Sequence, residues 1–363
     1  MGHQVGTCER RRGLVNTSFS NQNIGGDGSV MNMPERAQPV QREQFTPLTD
    51  RILRVKEQLS CTAAAVYVIH RDTVVHESYM GSYDYEAQTL PVTASTRFNV
   101  ASVRKSYLGL AVSLALHQKR ISSLDDPITG YLDDLNVKAV QGTTLRHLLT
   151  HTHGLKNNHE RAFPAGTGWM YNNVGINMLI RVIRKVFEAP LADVMRHYVF
   201  GPCGLTETGW QKEPNEHLVW LGESYAAEQG GEVNLFVSAR ELAHWGYLHL
   251  QHGLVNGKQV IPREVTERAT IIQSPSRLDD SLPRNGFAWW VQDKPRPLSE
   301  LGHSLPTGSY QILGKTGCAC LVIPQYQLVA VRMYNQTGAN PHGYDYLEDI
   351  QAFGDTVLAC TLQ

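Results

Sequence analysis

Long apolar runs are missing from this chain: no window of about 18 consecutive apolar residues exists, so no segment reads as a membrane-spanning helix. Residues 1–20 carry Arg10, Arg11 and Arg12 but no apolar stretch after them long enough for the core of a signal peptide. Gly6 stands where an N-terminal lipidation pattern beginning Met1-Gly2 requires Ser or Thr. A cytoplasmic location, with no membrane partner, is the resulting expectation. An excess of one charge is also missing. The 33 Lys and Arg balance 34 Asp and Glu to a formal net charge of -1, and no basic stretch is interleaved with aromatics. That leaves no electrostatic basis for a nucleic-acid partner. The six cysteines, at 8, 61, 203, 318, 320 and 360, form no C-x-x-C pair and no regular spacing, so they read as reduced thiols rather than a disulfide framework.

What is present is a chain of 363 residues, 42% hydrophobic and 18% charged, long enough for a large core and about two structural lobes. Residues 1–44, rich in Gly, Asn, Ser, Gln and Arg without periodicity, read as a flexible extension. After an amphipathic stretch over 48–59, the runs Ala63-Ala-Ala-Val-Tyr-Val-Ile and Thr73-Val-Val-His-Glu-Ser-Tyr form a hairpin around the polar turn His70-Arg-Asp. Helical periodicity then dominates 102–269, in the stretches 107–117, 145–149, 174–186, 191–199 and 239–250. Strand character returns at 287–291, 310–313, 318–323 and 328–334, and a closing helix starts near Tyr346. The expectation is an α+β fold. Segments 45–100 and 286–363 form an α/β lobe, an antiparallel sheet flanked by terminal helices, into which a mainly helical lobe, 101–285, is inserted; a cleft between the lobes is the natural site.

Three short motifs carry chemistry. In Phe98-Asn-Val-Ala-Ser-Val-Arg-Lys-Ser-Tyr, Ser102 and Lys105 are three residues apart at the start of a helix, which brings amine and hydroxyl onto one face. A serine hydroxyl becomes nucleophilic only when a neighbouring base takes its proton, and free N–H groups at a helix start can stabilise an oxyanion. Tyr171-Asn172-Asn173 follows Phe163-Pro-Ala-Gly-Thr-Gly-Trp-Met and precedes another helix, placing a phenol and an amide two residues apart; a phenol acts as a base only if cations pull its pKa well below about 10. Gly314-Lys315-Thr316-Gly317-Cys318 brings a second cation and a hydroxyl between glycines that permit close backbone approach. Each motif alone reads equally as a cap, an aromatic anchor or a turn.

In this order, and with the stretches Thr144-Leu-Arg-His-Leu-Leu-Thr-His-Thr-His-Gly-Leu155, Phe200-Gly-Pro-Cys-Gly-Leu-Thr-Glu-Thr-Gly209 and Val237-Ser-Ala-Arg-Glu-Leu-Ala243, the motifs resemble the serine β-lactamase and penicillin-binding-protein superfamily, specifically its class C β-lactamase-related serine hydrolases. The match runs from about Ala63 to Asn335. The resemblance implies Ser102 as the acylated nucleophile, Lys105 and Tyr171 as a coupled proton-transfer pair in which both lysines favour phenolate, and Asn173 as a contact to a substrate amide. It further implies Lys315 and Thr316 as electrostatic and carboxylate-binding groups, and the N–H groups of Ser102 and Cys318 as the oxyanion hole. No cofactor is implied. His153 departs from the Thr-His-Thr-Ser-Gly phrase usual in such relatives.

The imidazoles of His147, His151, His153 and His159 lack the carboxylate pattern of a metal site and are read as part of a helix-ending loop. Trp289 and Trp290 are read as packing anchors. The expected activity is hydrolysis, through an acyl-enzyme, of an ester, a β-lactam or a D-amino-acid-type amide, a small-molecule or short-peptide substrate bearing a carboxylate. The rivals are transfer of the same acyl group to an amine or alcohol, and a sensor that keeps the fold without turnover. Substrate identity would lie in segments 211–232 and 271–310; the oligomeric state stays open.

Overall fold

The computed structural model describes residues 35–36, 43–84, 89–157, 159–214, 217–221 and 232–363, so the expected extension over 1–44 falls almost entirely outside the described residues. The fold is built on the strand Ala63–His70, whose side chains alternate between two hydrophobic clusters. Ala63, Ala65, Tyr67 and Ile69 join one, and Ala64, Val66 and Val68 join the other. Successive strand side chains point to opposite faces, so a strand covered on both sides must be apolar without interruption.

That strand lies at the centre of a seven-stranded sheet in the order Glu35–Arg36, Thr73–Gly81, Ala63–His70, Leu328–Tyr334, Ala319–Ile323, Tyr310–Leu313, Trp290–Val291. The neighbours are antiparallel except at the first edge, where Glu35 and Arg36 run parallel to Thr73 and Val74. The hairpin turns on Arg71 and Asp72, both left-handed with φ of 47° and 61°, the twist that a two-residue hairpin loop needs. Sequence-distant segments meet in the middle of the sheet, where Leu328–Tyr334 pairs along its length with Ala63–His70.

Two terminal helices, Thr46–Gln58 and Tyr346–Thr361, cover one face with Leu48, Ile52, Ile350, Phe353 and Val357. A buried ionic network fastens the second helix. Asp349 takes Arg332 and Arg51 at 2.7 Å each and a hydrogen bond from the Tyr344 hydroxyl at 2.7 Å. Burial alone would raise the Asp349 carboxyl, but Arg332, Tyr344 and Arg51 outweigh it and hold it below the usual carboxylate range.

On the other face the helix Ala239–Leu250 lies against the sheet, and the helix Arg104–His117 packs behind it. Arg104–His117 is buried on nearly every side, which is why its apolar residues show no narrow stripe. Tyr107 stacks on Trp245 at 3.9 Å, and the Trp245 indole donates to the Ser106 hydroxyl at 2.9 Å. The region expected to be helical also contains a small sheet of Arg97–Asn99, Leu235–Ser238 and Thr208–Trp210. The strand expected over 287–291 shrinks to Trp290–Val291, because the chain turns at Ala288 with φ of 63°. Among the described residues no helix is long and apolar enough to cross a membrane.

The small sheet delivers the chain to Ser102. After Arg97–Asn99 comes a single 3-10 turn, Ala101–Val103, and only then the helix Arg104–His117. Ala101 is left-handed, with φ of 47°, a conformation that costs a residue with a Cβ roughly 1–2 kcal/mol. Asn99, 3% exposed, holds it there. Its Oδ1 accepts from the Ala101 N–H at 2.9 Å, its Nδ2 donates to Val219 O at 3.0 Å and Asn234 Oδ1 at 3.1 Å, and its carbonyl accepts from the Thr316 hydroxyl at 2.6 Å.

Two stability predictions follow from these networks. Asp349→Ala leaves Arg332 buried without its counter-charge and is expected to cost about 3–5 kcal/mol in urea unfolding; a cost under about 1 kcal/mol would show that the network contributes little. The Asp349 contribution is present above the unfolded-state carboxylate pKa and fades as pH falls through the lower folded-state value. Asn99→Ala leaves the Ala101 N–H and the Val219 carbonyl without the asparagine amide and is expected to cost about 2–3 kcal/mol in the same measurement.

Candidate active site

Lys105 lies one helical turn beyond Ser102, so the first turn of Arg104–His117 sends its side chain back along the serine's face; it is 1% exposed. Tyr171 reaches the same point from the other direction, on the loop that ends at the helix Val174–Phe187. The Lys105 amine hydrogen-bonds the Tyr171 hydroxyl and lies 3.9 Å from the centre of its ring. Ser102 lies near the same phenol and lowers its pKa. The structure therefore brings together the first three expected residues, with Ser102 and Tyr171 lining one cavity and Lys105 bonded to the phenol.

Tyr171 is 43% exposed as a residue, yet its oxygen sits at the crowded floor of the cleft. Burial pushes its pKa up to about 12; Ser102 and the charge of Arg104 oppose the rise, and Glu300 adds to it. The nearby lysines were expected to favour phenolate, with the base of the coupled pair left open. Desolvation of the oxygen is the larger effect, so Tyr171 rests as a phenol at neutral pH. Beneath it lies His151, left-handed at φ of 57° and 1% exposed, its ring 4.6 Å from that of Tyr171. Burial, then Lys105 and His153, keep the His151 imidazole far below its usual pKa, so Tyr171 rests on an uncharged ring.

The third motif closes the site from the sheet. Gly314 ends the strand Tyr310–Leu313 against the nucleophile turn: a Cβ on it would lie 2.2 Å from Val100 O and 3.0 Å from Ser102 N. Only glycine lets the segment carrying Lys315 and Cys318 come this close to the serine's amide. Ser102, Tyr171, Trp290, Glu300 and Lys315 line one cavity of about 400 Å³. A second, more open groove of about 600 Å³, by Lys138, His159 and Arg161, is lined by none of the expected site residues.

Two expected contacts are arranged differently. Thr316 is fully buried and its hydroxyl is taken by the Asn99 carbonyl at 2.6 Å, so it ties the strand to the nucleophile turn and does not face a substrate carboxylate. Asn173 is exposed at the start of the helix Val174–Phe187 and does not line the cavity. Its neighbour Asn172 is held by the Leu155 carbonyl at 2.7 Å and the Val174 N–H at 3.0 Å. The Cys318 thiol points inward, to Tyr334 O at 3.4 Å, and burial pushes it up to about 11.

The four histidines have local partners or packing. His147 bonds Thr144, and His153 accepts from the Leu155 N–H at 3.0 Å and packs under Gly175. Among the described residues no group of three or more His, Cys, Asp or Glu is placed to hold a metal.

Residues that no motif announced also face the cavity. Trp290, expected to be a packing anchor, is both: 3% exposed, it packs on Trp169 at 5.2 Å and lines the wall. Glu300 presents its carboxyl, which accepts from the Tyr346 hydroxyl at 2.9 Å. Burial raises that carboxyl to about 8, against the lowering effects of Tyr346 and Lys105. In sequence Glu300 sits in the polar stretch Leu298-Ser-Glu-Leu, which looks like any exposed loop.

The comparisons with known proteins agree with this arrangement. An uncharacterized protein from Alkalihalophilus pseudofirmus is 42% identical over 332 residues, which is 88% of this chain and 97% of its own. A β-lactamase of Escherichia coli is 27% identical, covering 87% of this chain and 93% of its own. Among solved structures, the octameric penicillin-binding protein homologue from Pyrococcus abyssi superposes with a TM-score of 0.66 at 18% identity, over 86% of this chain and 76% of its own, a likeness of fold. The family model described as Beta-lactamase matches residues 48–352. With most of its length matched and its fold shared, the chain belongs to the Beta-lactamase family, within the serine β-lactamase and penicillin-binding-protein superfamily.

Proposed function

We propose that the protein is a serine hydrolase that forms an acyl-enzyme at Ser102 on an ester, a β-lactam or a D-amino-acid-type amide, and then releases the acyl group to water. The observation that carries this reading is the hydrogen bond between the Lys105 amine and the Tyr171 hydroxyl in the cavity that Ser102 lines. As Ser102 Oγ attacks the carbonyl carbon, its proton passes to the Lys105–Tyr171 pair and from there to the departing amine or alkoxide. In the second half the pair takes a proton from water, hydroxide attacks the acyl carbon, and the proton returns to Ser102 as the ester bond breaks. With Tyr171 a phenol, the proton is accepted by Lys105 acting as the free amine: the phenol passes its own proton to the amine as it takes the one from Ser102.

The negative charge that develops on the carbonyl oxygen is assigned to the amides of Ser102 and Cys318, which Gly314 allows to approach one another. Lys315, exposed on the cavity wall, is the electrostatic group for a substrate carboxylate. Asn173, at the rim, remains available to a longer substrate.

Ser102→Ala is expected to abolish the covalent adduct formed with a fluorophosphonate or a penicillin and to lower kcat/KM by at least about a thousandfold. An adduct of unchanged mass in that variant would place the nucleophile elsewhere. Tyr171→Phe should retain binding but lose roughly 100- to 10,000-fold in kcat, the usual range for removing a positioned proton carrier. Lys315→Ala should impair carboxylate-bearing substrates at least about tenfold more than neutral p-nitrophenyl esters; equal losses on both would mean that Lys315 acts on the reaction in general.

A further inference from the structure

Glu300 is a half-buried carboxyl that the proton relay does not use, and it belongs to the same cavity as the nucleophile. It is held in a built position. Its carbonyl accepts from Gln311 Nε2 at 2.6 Å, Gln311 itself being fully buried, and the preceding Ser299 carbonyl accepts from Gln351 Nε2 at 2.7 Å. The backbone that carries the carboxyl is thus fixed from the sheet on one side and the closing helix on the other. Among the described residues its side chain accepts one hydrogen bond, from the Tyr346 hydroxyl on Oε1.

The charged and titratable groups that face it have other attachments. Lys105 acts on it through space while its amine is bonded to Tyr171. Arg332, on the cavity floor, is paired with Asp349 at 2.7 Å. Tyr344 donates to the same Asp349 at 2.7 Å, and Lys315 is exposed to solvent on the wall. A desolvated carboxyl without an ion pair of its own is pushed toward its protonated form, and an arriving cation reverses that push. The wall beside it is aromatic, formed by Trp290, Tyr171, Tyr344 and Tyr346, and aromatic faces attract cations.

We propose that Glu300 is a specificity residue that receives an ammonium group of the substrate, so that acyl donors carrying a free amine, such as amino-acid esters and amides, are the preferred class. The inference rests on the acyl-enzyme reading of the same cavity. On binding, the Glu300 carboxyl gives up its proton to solvent and the resulting carboxylate pairs with the substrate ammonium, while Tyr346 continues to donate to Oε1. A substrate whose amine is acylated offers no such counter-charge.

The test uses two fluorophosphonates that differ only in a short alkyl chain ending in a primary amine or in its N-acetyl form. Their second-order rates of labelling Ser102 are read by intact mass at neutral pH. In the wild-type protein the amine is expected to label at least about tenfold faster, the scale of one charge-assisted hydrogen bond, and in Glu300→Gln the ratio should fall to within about threefold of one. Equal rates in the wild type would overturn the proposal. So would a ratio preserved in Glu300→Gln while both rates fall together, since Glu300 would then act through Lys105 and Tyr171. If neither compound labels Ser102 in either protein, the acyl-enzyme reading itself is refuted, and the assignment of Glu300 goes with it.

Discussion

The left-handed turn at Ala101 is the constraint on which the site depends. Ser102 meets Tyr171 because the backbone before it is held in a conformation that alanine avoids, and the hydrogen bonds of Asn99 oppose that strain. One asparagine thereby couples the small sheet, Val219, Asn234 and the nucleophile. Through Thr316 it also couples the edge of the large sheet, because the Asn99 carbonyl accepts the threonine hydroxyl that lies between Lys315 and Gly317. The serine and the lysine-bearing strand end are consequently parts of one rigid body, and local strain persists because its surroundings over-determine it.

Desolvation sets the charge state of the rest. Tyr171, Glu300 and His151 surround Lys105 on different sides, and burial moves each toward its neutral form. Beside such walls, a charge that arrives with a substrate is less screened than in bulk water.

The parts legible in the sequence were those written in local pattern. The uninterrupted apolar run at 63–69 gave a central strand, the polar turn at 70–72 a hairpin, and the spacing of Ser102 and Lys105 a shared helix face. What stayed hidden depends on contacts between distant residues. Leu235–Ser238 is a short apolar run beside a helix start and carries no strand alternation; it becomes a strand only because Asn99 and Thr208 bring partners to it. Thr316 sits in the expected motif, but nothing in the motif says that its hydroxyl turns inward. Glu300 has no motif at all, since its meaning comes from Gln311 and Tyr346, which lie 11 and 46 positions away in the chain. The desolvation that raises the Tyr171 pKa was not legible for a related reason. Charges can be counted in a sequence, whereas the loss of water around one oxygen cannot.

The pairing of Leu328–Tyr334 with Ala63–His70 has a bearing on how the protein is made. A ribosome releases the hairpin, the nucleophile helix and the loop of Tyr171 long before the strands that complete the sheet, and the segment holding Gly314 and Thr316 is also a late arrival. Through most of synthesis, then, Ser102 lies in a chain whose strained turn has no strand behind it and whose hydrophobic hairpin has an open edge. The catalytic cleft is a product of the last stage of folding, and the early hairpin is the part of the nascent chain with most need of protection from pairing with the wrong partner.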